Sequence, residues 1–317
     1  MILALTPNPA LDITETLTAL SPGAVHRPEE VRAMPGGKGL NTARVLDALG
    51  EAVTVLGPLG GATGRGIRTL LAEASPRIVQ GFVEIGGETR RTVTLLARGE
   101  ATGIHEQGPE LHGSELDALE ASVLHRLPGA RALGISGSLP RGMGDARLSA
   151  LVAAARAARV PVLVDTSGPA LLAAARAGAD VLKPNREEAL AATGATDPSA
   201  ACRALLDLGA GSVVCSLGPD GMLVASRDGR LLRARPPRSI AGNPTGAGDA
   251  AVAALLRHLA RARSPHPAPV TADALVDAVA TSASALARPV AGEIDPDLRA
   301  ALLAEIRPET CTPLEMR

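Results

Sequence analysis

Ala132-Leu133-Gly134-Ile135-Ser136-Gly137-Ser138-Leu139-Pro140 opens the segment that decides the fold, and Val160-Pro161-Val162-Leu163-Val164-Asp165 closes it after an alanine-rich stretch at 145–159. Both apolar runs are strand-length and unbroken, as in strands buried on two faces, and the stretch between them has the length of a helix. Strand, turn, helix and strand in that order place the two strands parallel. The pattern repeats outward. Downstream it predicts a helix over 169–177, a strand over 180–183, helices over 186–193 and after Asp197-Pro198, and a strand over 212–216. Upstream it predicts strands over 1–5 and 52–56, with helices after Gly39, near 67–72 and near 115–126. Alternation on this scale means a mostly parallel sheet wrapped by helices.

Two regions break the pattern. Residues 13–34 alternate loosely around Ser21-Pro22-Gly23, and 82–85 with 92–97 alternate about Gly86-Gly87, so each reads as a hairpin. Together they suggest a small separate sheet serving as a lid, drawn from about 12–34 and 81–106. A strand pair at 222–225 and 231–234, a proline-rich loop at 264–269, and helices from 249, over 272–287 and from 296 finish the chain. No internal repeat or linker divides its 317 residues, which read as a single domain with that discontinuous lid.

Composition excludes several classes of function. A formal net charge of -1 with scattered Lys and Arg argues against nucleic acid or a membrane surface as partner. Phe82 is the only aromatic residue, so ring stacking on bases is nearly ruled out, and a nucleotide base would have to lie between aliphatic walls. There is no run of eighteen apolar residues and no leader-like start, which gives a cytoplasmic expectation. Cys202, Cys215 and Cys311 are odd in number and widely spaced, so free thiols are expected rather than disulfides or a zinc site.

The chemistry gathers at strand ends. Gly242-Asn243-Pro244-Thr245-Gly246-Ala247-Gly248-Asp249 runs into a helix marked by Val252, Leu255, Leu256 and Leu259. Glycines admit a close ligand there, and the free amides of a first helical turn favour a group gaining negative charge. Asp249 in that turn can be a helix-dipole residue or a functional carboxylate. Pro35-Gly36-Gly37-Lys38-Gly39-Leu40-Asn41 launches another helix; Gly39 stands where a phosphate-binding P-loop needs Ser or Thr, so that reading fails. The turn can hold a sugar or a phosphate, or be a tight strand-to-helix connection. Gly57-Pro58-Leu59-Gly60-Gly61 lacks the spacing of a dinucleotide fingerprint. Asp12, Ser136, Ser138, Asp165, Lys183 to Glu188 and Ser216 to Gly218 also follow strands, on the edge where open α/β sheets bind ligands. Such a set fits phosphoryl transfer, which needs positioning, charge neutralisation, a metal and a carboxylate base.

In order and spacing these motifs resemble the ribokinase-like, PfkB-type carbohydrate kinases, and within them the branch of 1-phosphofructokinases and tagatose-6-phosphate kinases. Thr6-Pro7-Asn8-Pro9-Ala10-Leu11-Asp12 is similar to that branch's opening motif, Pro35 to Ala43 to the family's first signature, and Pro244 to Ala250 to its second. Ser136 to Pro140, Lys183 to Glu188 and Ser216 to Gly221 match between them, so the likeness covers nearly the whole chain. It implies a three-layer α/β/α fold with a small β-sheet lid, ATP and magnesium as cofactors, a sugar phosphate as substrate, and a homodimer through the lid.

By the resemblance Asp249 is the catalytic base, and the amides of Gly246, Ala247 and Gly248 form the anion hole. Asp12, Gly36, Gly37, Asn41 and Ser138 would hold the sugar, with Lys38 and Arg90 on its own phosphate. Lys183, Asn185, Ser216, Gly218 and Gly221 would meet ATP, and Glu188 would position magnesium through water. The departures fall at the sugar end. Thr92 stands where the branch commonly has Asn and Thr94 where it often has Lys, while Ala24 and His26 replace the Lys and Arg of fructose-6-phosphate-specific members. Fructose 1-phosphate is therefore favoured, with tagatose 6-phosphate or an unphosphorylated sugar as alternatives and a non-catalytic sugar-binding regulator set aside. Asn243-Pro244 also departs from the usual pair, its proline stiffening the turn.

Overall fold

A computed structural model of the chain describes residues 1–262 and 269–311. All but the last residue of the proline-rich loop expected at 264–269 lies outside the described residues. The main sheet has ten strands. Seven run parallel, in the order Ser212–Ser216, Val181–Leu182, Val162–Asp165, Ala132–Ser136, Ile2–Leu5, Val53–Leu56 and Val79–Gln80. Met222–Ser226, Leu231–Ala234 and Glu309–Thr310 extend one edge antiparallel.

Side chains alternate across this sheet into two cores, and that alternation makes the three layers. Ile2 and Ala4 face a core shared with the helices Lys38–Ala48, Ala247–Arg261 and Ala272–Leu286. Leu3 and Leu5 face the other, shared with Gly113–Arg126, Asp145–Ala157, Gly168–Arg176 and Pro198–Leu208. Most of these side chains are fully removed from water, each Leu or Ile contributing about 1.5–3 kcal/mol.

The first strand decides where a ligand can sit. From Ile2–Leu5 the chain first builds outward to Val53–Leu56, then crosses back to Ala132–Ser136 on the other flank. The connections on either side of the central strand therefore diverge, leaving a crevice at its carboxyl end. Thr6 to Pro9 and Gly137 to Pro140 emerge into it.

A second sheet of four strands, Glu30–Gly36, Ala10–Leu17, Arg90–Ala97 and Glu100–His105, grows from that crevice. Its register sets Asp12 against Thr92 and Thr92 against His105 on one face. Ile13, Val93 and Ile104 line the other, where Ile104 is exposed. One expectation is corrected here. Gly86-Gly87 is not a hairpin turn: Val83–Glu84 pairs in parallel with Pro58–Leu59, and the hairpin turns instead at Arg98-Gly99, between Arg90–Ala97 and Glu100–His105. Glu88 serves the helix Gly61–Ala74, whose first amides, Ala62 and Thr63, donate to it, while the Gly86 amide donates to Glu115 of the helix Gly113–Arg126.

Candidate active site

The sugar end is built by the chain leaving Ile2–Leu5. Asp12 lies on the first strand of the small sheet with Gly36 beside it, and a Cβ on Gly36 would fall 2.0 Å from the Asp12 carboxyl carbon. Only glycine lets the first signature close over that carboxylate. The Thr92 hydroxyl and the Gly37 amide donate to Asp12, while Arg90 and His105 bring positive charge. Burial nevertheless pushes the Asp12 carboxyl above its ordinary range, the hydrogen bonds and cations opposing it. Arg90 donates from Nε to the Asn8 carbonyl and from Nη1 to the Glu106 carbonyl, both at 3.2 Å. Asn8 in turn donates to the Ser138 hydroxyl at 3.3 Å and to the Gln107 carbonyl at 3.1 Å. Asp12, Gly36, Gly37, Arg90 and Ser138 thus converge, with Thr92 beside them and with Asn8 and His105, to which the resemblance gave no role.

The second signature forms the centre. Gly246 takes a left-handed conformation (φ 85°) that starts the Ala247–Arg261 helix, and Asp249 sits in the first turn, 6% exposed. Asn41 donates to Asp249 Oδ2 at 2.9 Å, and the Thr42 hydroxyl donates to the Asp249 carbonyl at 3.2 Å. Burial raises the Asp249 carboxyl to about 7, the charge of Asp165 adding to the rise and Asn41, Lys38 and Lys183 opposing it. A carboxyl tuned near neutrality suits proton transfer. The departure at Asn243-Pro244 acquires a physical reason: Asn243 Oδ1 accepts from the Thr245 amide, and Nδ2 donates to the Pro289 carbonyl, both at 3.0 Å. This clip ties the turn before Gly246 to the segment after the Ala272–Leu286 helix.

Lys38 lies between two carboxylates. Its ammonium lies 3.2 Å from Asp165 and 3.7 Å from Glu188. Burial alone would lower it, but Asp165, Glu188 and Asp249 together hold it above its ordinary value, so it stays charged. Arg90 feels Asp12 and Glu106 instead. The two cations therefore face different carboxylates, each set by the negative charges nearest to it. Asp165, at the end of its strand and 1% exposed, is the partner that assigning roles by motif passed over. Its signal was a lone acid ending the run Val162-Leu163-Val164.

A cleft of about 1130 Å³ opens beside Gly248. Asn185, Ser216, Gly218, Gly221 and Gly248 line it, and Leu217, Ile240, Val279, Ala283 and Leu286 supply apolar wall. The Lys183 ammonium is 3.4 Å from the Ser216 hydroxyl and faces Gly248. Asn185 caps the Arg186–Thr193 helix, accepting from the Glu188 amide at 2.7 Å, while Glu188 Oε2 accepts from the Asn185 amide at 2.9 Å. That leaves Glu188 Oε1 toward Lys38, so Glu188 and Asp165 already share a cation between them. Among the described residues no cluster of three or more His, Cys, Asp or Glu forms a metal cage. Hard oxygen donors in so small a number fit a magnesium ion that arrives on a nucleotide and keeps most of its waters.

A buried carboxyl in the first turn of a helix, two flanking lysines and an adjoining cleft are the parts that phosphoryl transfer to an alcohol calls for. The sequence model described as pfkB family carbohydrate kinase matches residues 6–295, and the chain belongs to that family. It is a carbohydrate kinase. The 1-phosphofructokinase of Xanthomonas campestris is 38% identical over 264 residues, 80% of this chain and 82% of that protein. The crystal structure of phosphofructokinase-2 from Escherichia coli in complex with potassium superposes with a TM-score of 0.87 at 31% identity, covering 96% of this chain and 98% of that one. Ribokinase from Thermotoga maritima shares the fold at 18% identity, with a TM-score of 0.74 over 96% and 99% of the two chains.

Proposed function

We propose that the protein transfers the terminal phosphoryl group of ATP to the free primary hydroxyl of fructose 1-phosphate, giving fructose 1,6-bisphosphate and ADP. The observation that carries the reading is Asp249, buried, oriented by Asn41 and tuned to about 7 where the helix amides converge. Its carboxylate takes the hydroxyl proton as the bond to phosphorus forms. The amides of Gly246, Ala247 and Gly248 receive the charge that spreads over the migrating group, in a site with little water to reorganise. Lys183 and Lys38 flank the same path. Lys38 then serves the transferring phosphoryl group, and Arg90 alone meets the substrate's own phosphate, where a planar guanidinium suits paired contacts. Asp12, through its oxygens, and Ser138 orient the sugar hydroxyls.

Magnesium on the nucleotide would neutralise the β- and γ-phosphate oxygens, with Glu188 and Asp165 as the residues to hold it through water. The small sheet acts as a lid, and the apolar face bearing Val31, Val93 and Ile104 supports a homodimer through it, since Val31 and Ile104 are more than half exposed. No helix among the described residues is long and apolar enough to cross a membrane, in keeping with a reaction in the cytoplasm.

Fructose 1-phosphate is preferred to fructose 6-phosphate because neither position 24 nor position 26 directs a cation into the site. Ala24 is exposed, and His26 turns its ring onto the Ser21 backbone of its own loop. A coupled ADP-release assay over fructose 1-phosphate, tagatose 6-phosphate, fructose 6-phosphate and fructose tests this. Turnover is expected to be fastest with fructose 1-phosphate; turnover of unphosphorylated sugars alone removes the role given to Arg90.

A further inference from the structure

The anion hole rests on a turn that one buried side chain from the first signature's helix holds in place. A Cβ on Gly246 would lie 2.7 Å from the Ala291 Cβ and 3.3 Å from the Gly292 amide, so the first turn of the Ala247–Arg261 helix sits directly on residues 291–292. Arg44, on the Lys38–Ala48 helix, donates from Nη1 to the Ala291 carbonyl at 2.7 Å and reaches Glu293 from Nη2 at 3.5 Å. Its side chain is only 5% exposed. The fit against Gly292 is equally close, since a Cβ there would stand 2.8 Å from Arg44 Nη1.

A guanidinium in such a place is costly. Its Nε meets no acceptor among the described residues, and Glu293, at the edge of hydrogen-bond range and also paired with Arg288, compensates the charge weakly. An apolar side chain of similar length would fill the space at less desolvation cost. What it could not do is grip a carbonyl on the far segment. The same helix makes two more attachments to that turn, Asn41 to the Asp249 carboxylate and Thr42 to its carbonyl, beside the Asn243 clip to the Pro289 carbonyl. Asn41 and Arg44 stand three residues apart, hence on one helix face.

We propose that Arg44 is a positioning residue for phosphoryl transfer, fixing through Ala291 and Gly292 the place of Gly246 and of the amides at 246–248 relative to Asp249. Asn41 sets the base, Arg44 sets the hole, and one rigid helix keeps the two in register. The inference rests on the phosphotransfer reading above. Removing the clamp breaks no hydrogen bond of the ATP cleft or of the Asp12–Arg90 sugar end; Arg44 reaches that end only through the charge of Asp12, and the cleft only through Ala247 and Gly248 of its wall. The loss must therefore fall on the chemical step.

The test compares wild type, Arg44→Met and Arg44→Lys by kcat, by KM for ATP and for the sugar phosphate, and by the stoichiometry of ADP binding, which gives the folded fraction. Per folded molecule, kcat of Arg44→Met is expected to fall about 10- to 100-fold, the scale of a displacement near 1 Å at a reacting centre. Both KM values should stay within about twofold, as for a group acting only in the transition state. Free guanidinium ion at millimolar concentration should restore part of the lost rate in Arg44→Met. Arg44→Lys, which keeps the charge but cannot span Ala291 and Glu293 together, should lose kcat to a smaller extent, and it decides the matter if the Met variant does not fold. A kcat of the folded variant within about twofold of wild type, or a loss lying in KM alone, overturns the inference. Wild type without turnover of any sugar phosphate takes down the phosphotransfer reading and this inference with it, whereas an active wild type with an indifferent Arg44 variant overturns this inference only.

Discussion

Replacing Asp249 with Asn keeps the shape of the side chain and removes the oxygen that can take a proton. Turnover should fall by about 10²- to 10⁴-fold, the scale of a lost general base, with ATP and sugar-phosphate affinities retained. Stability should move the other way. The buried carboxyl is raised to about 7 in the folded state, against about 3.9 in the unfolded chain. Between those values the folded protein binds the extra proton, so the unfolding free energy of wild type falls as pH rises from about 4 to about 7. Integrating the two ionisations, this carboxyl costs wild type about 1.5 kcal/mol at about pH 5 and about 4 kcal/mol at about pH 8. Asp249→Asn should therefore gain roughly 2–3 kcal/mol on wild type across that interval, and the gain should vanish in acid. The Asn41 bond survives, because the carbonyl oxygen of the new amide accepts the same Nδ2–H. Denaturant unfolding of both proteins at several pH values, beside their turnover, measures each part. A stability difference that does not change with pH, or turnover within about tenfold of wild type, refutes the reasoning.

For the active enzyme the same ionisation sets the acid limb of the pH profile. Asp249 must be deprotonated to accept the proton, so kcat/KM should drop about tenfold per pH unit below about pH 7, read from initial rates in matched buffers. Arg90→Ala should raise KM for the sugar phosphate on the order of 10- to 100-fold, the worth of hydrogen bonds to a charged group, with KM for ATP unchanged in the same assay. Gly246→Ala places a methyl against Ala291 and forces a left-handed backbone on a residue with a Cβ; thermal unfolding should show a loss of about 2–4 kcal/mol, with kcat reduced in the fraction that folds.

Much of this architecture is legible in the chain because burial on two faces leaves a plain mark. Runs such as Val162-Leu163-Val164 and Val213-Val214-Cys215 can only be interior strands, and the helices between them oblige those strands to run parallel. The glycine-rich turns were equally readable, since they interrupt apolar periodicity at strand ends. What escaped is decided by contacts far apart in sequence. The hairpin loop Arg98-Gly99 holds two residues at positive φ, 52° and 83°, yet it lacks the Asn or Asp that usually announces such a turn. The more glycine-rich Gly86-Gly87 drew the reading, while its neighbour Glu88 had been recruited to a helix start. Strands of two residues, Val79–Gln80 and Glu309–Thr310, are too short to carry a period. The direction of Lys38 depends on Asp165, 127 positions away, and no local pattern tells an ammonium which carboxylate will lie beside it. Arg44 looked like an ordinary helix residue until the turn at 291–293 came to rest on it.

The central claim is that Asp249 meets the alcohol of a substrate whose own phosphate lies on Arg90. A crystal structure with fructose 1-phosphate, magnesium and a non-transferable ATP analogue tests it most directly. The account predicts the free primary hydroxyl about 2.6–3.2 Å from an Asp249 carboxylate oxygen, the analogue's terminal phosphate against the amides of 246–248, and the sugar's phosphate on the Arg90 guanidinium. A sugar seated with its phosphate away from Arg90, or with no hydroxyl in reach of Asp249, would contradict it.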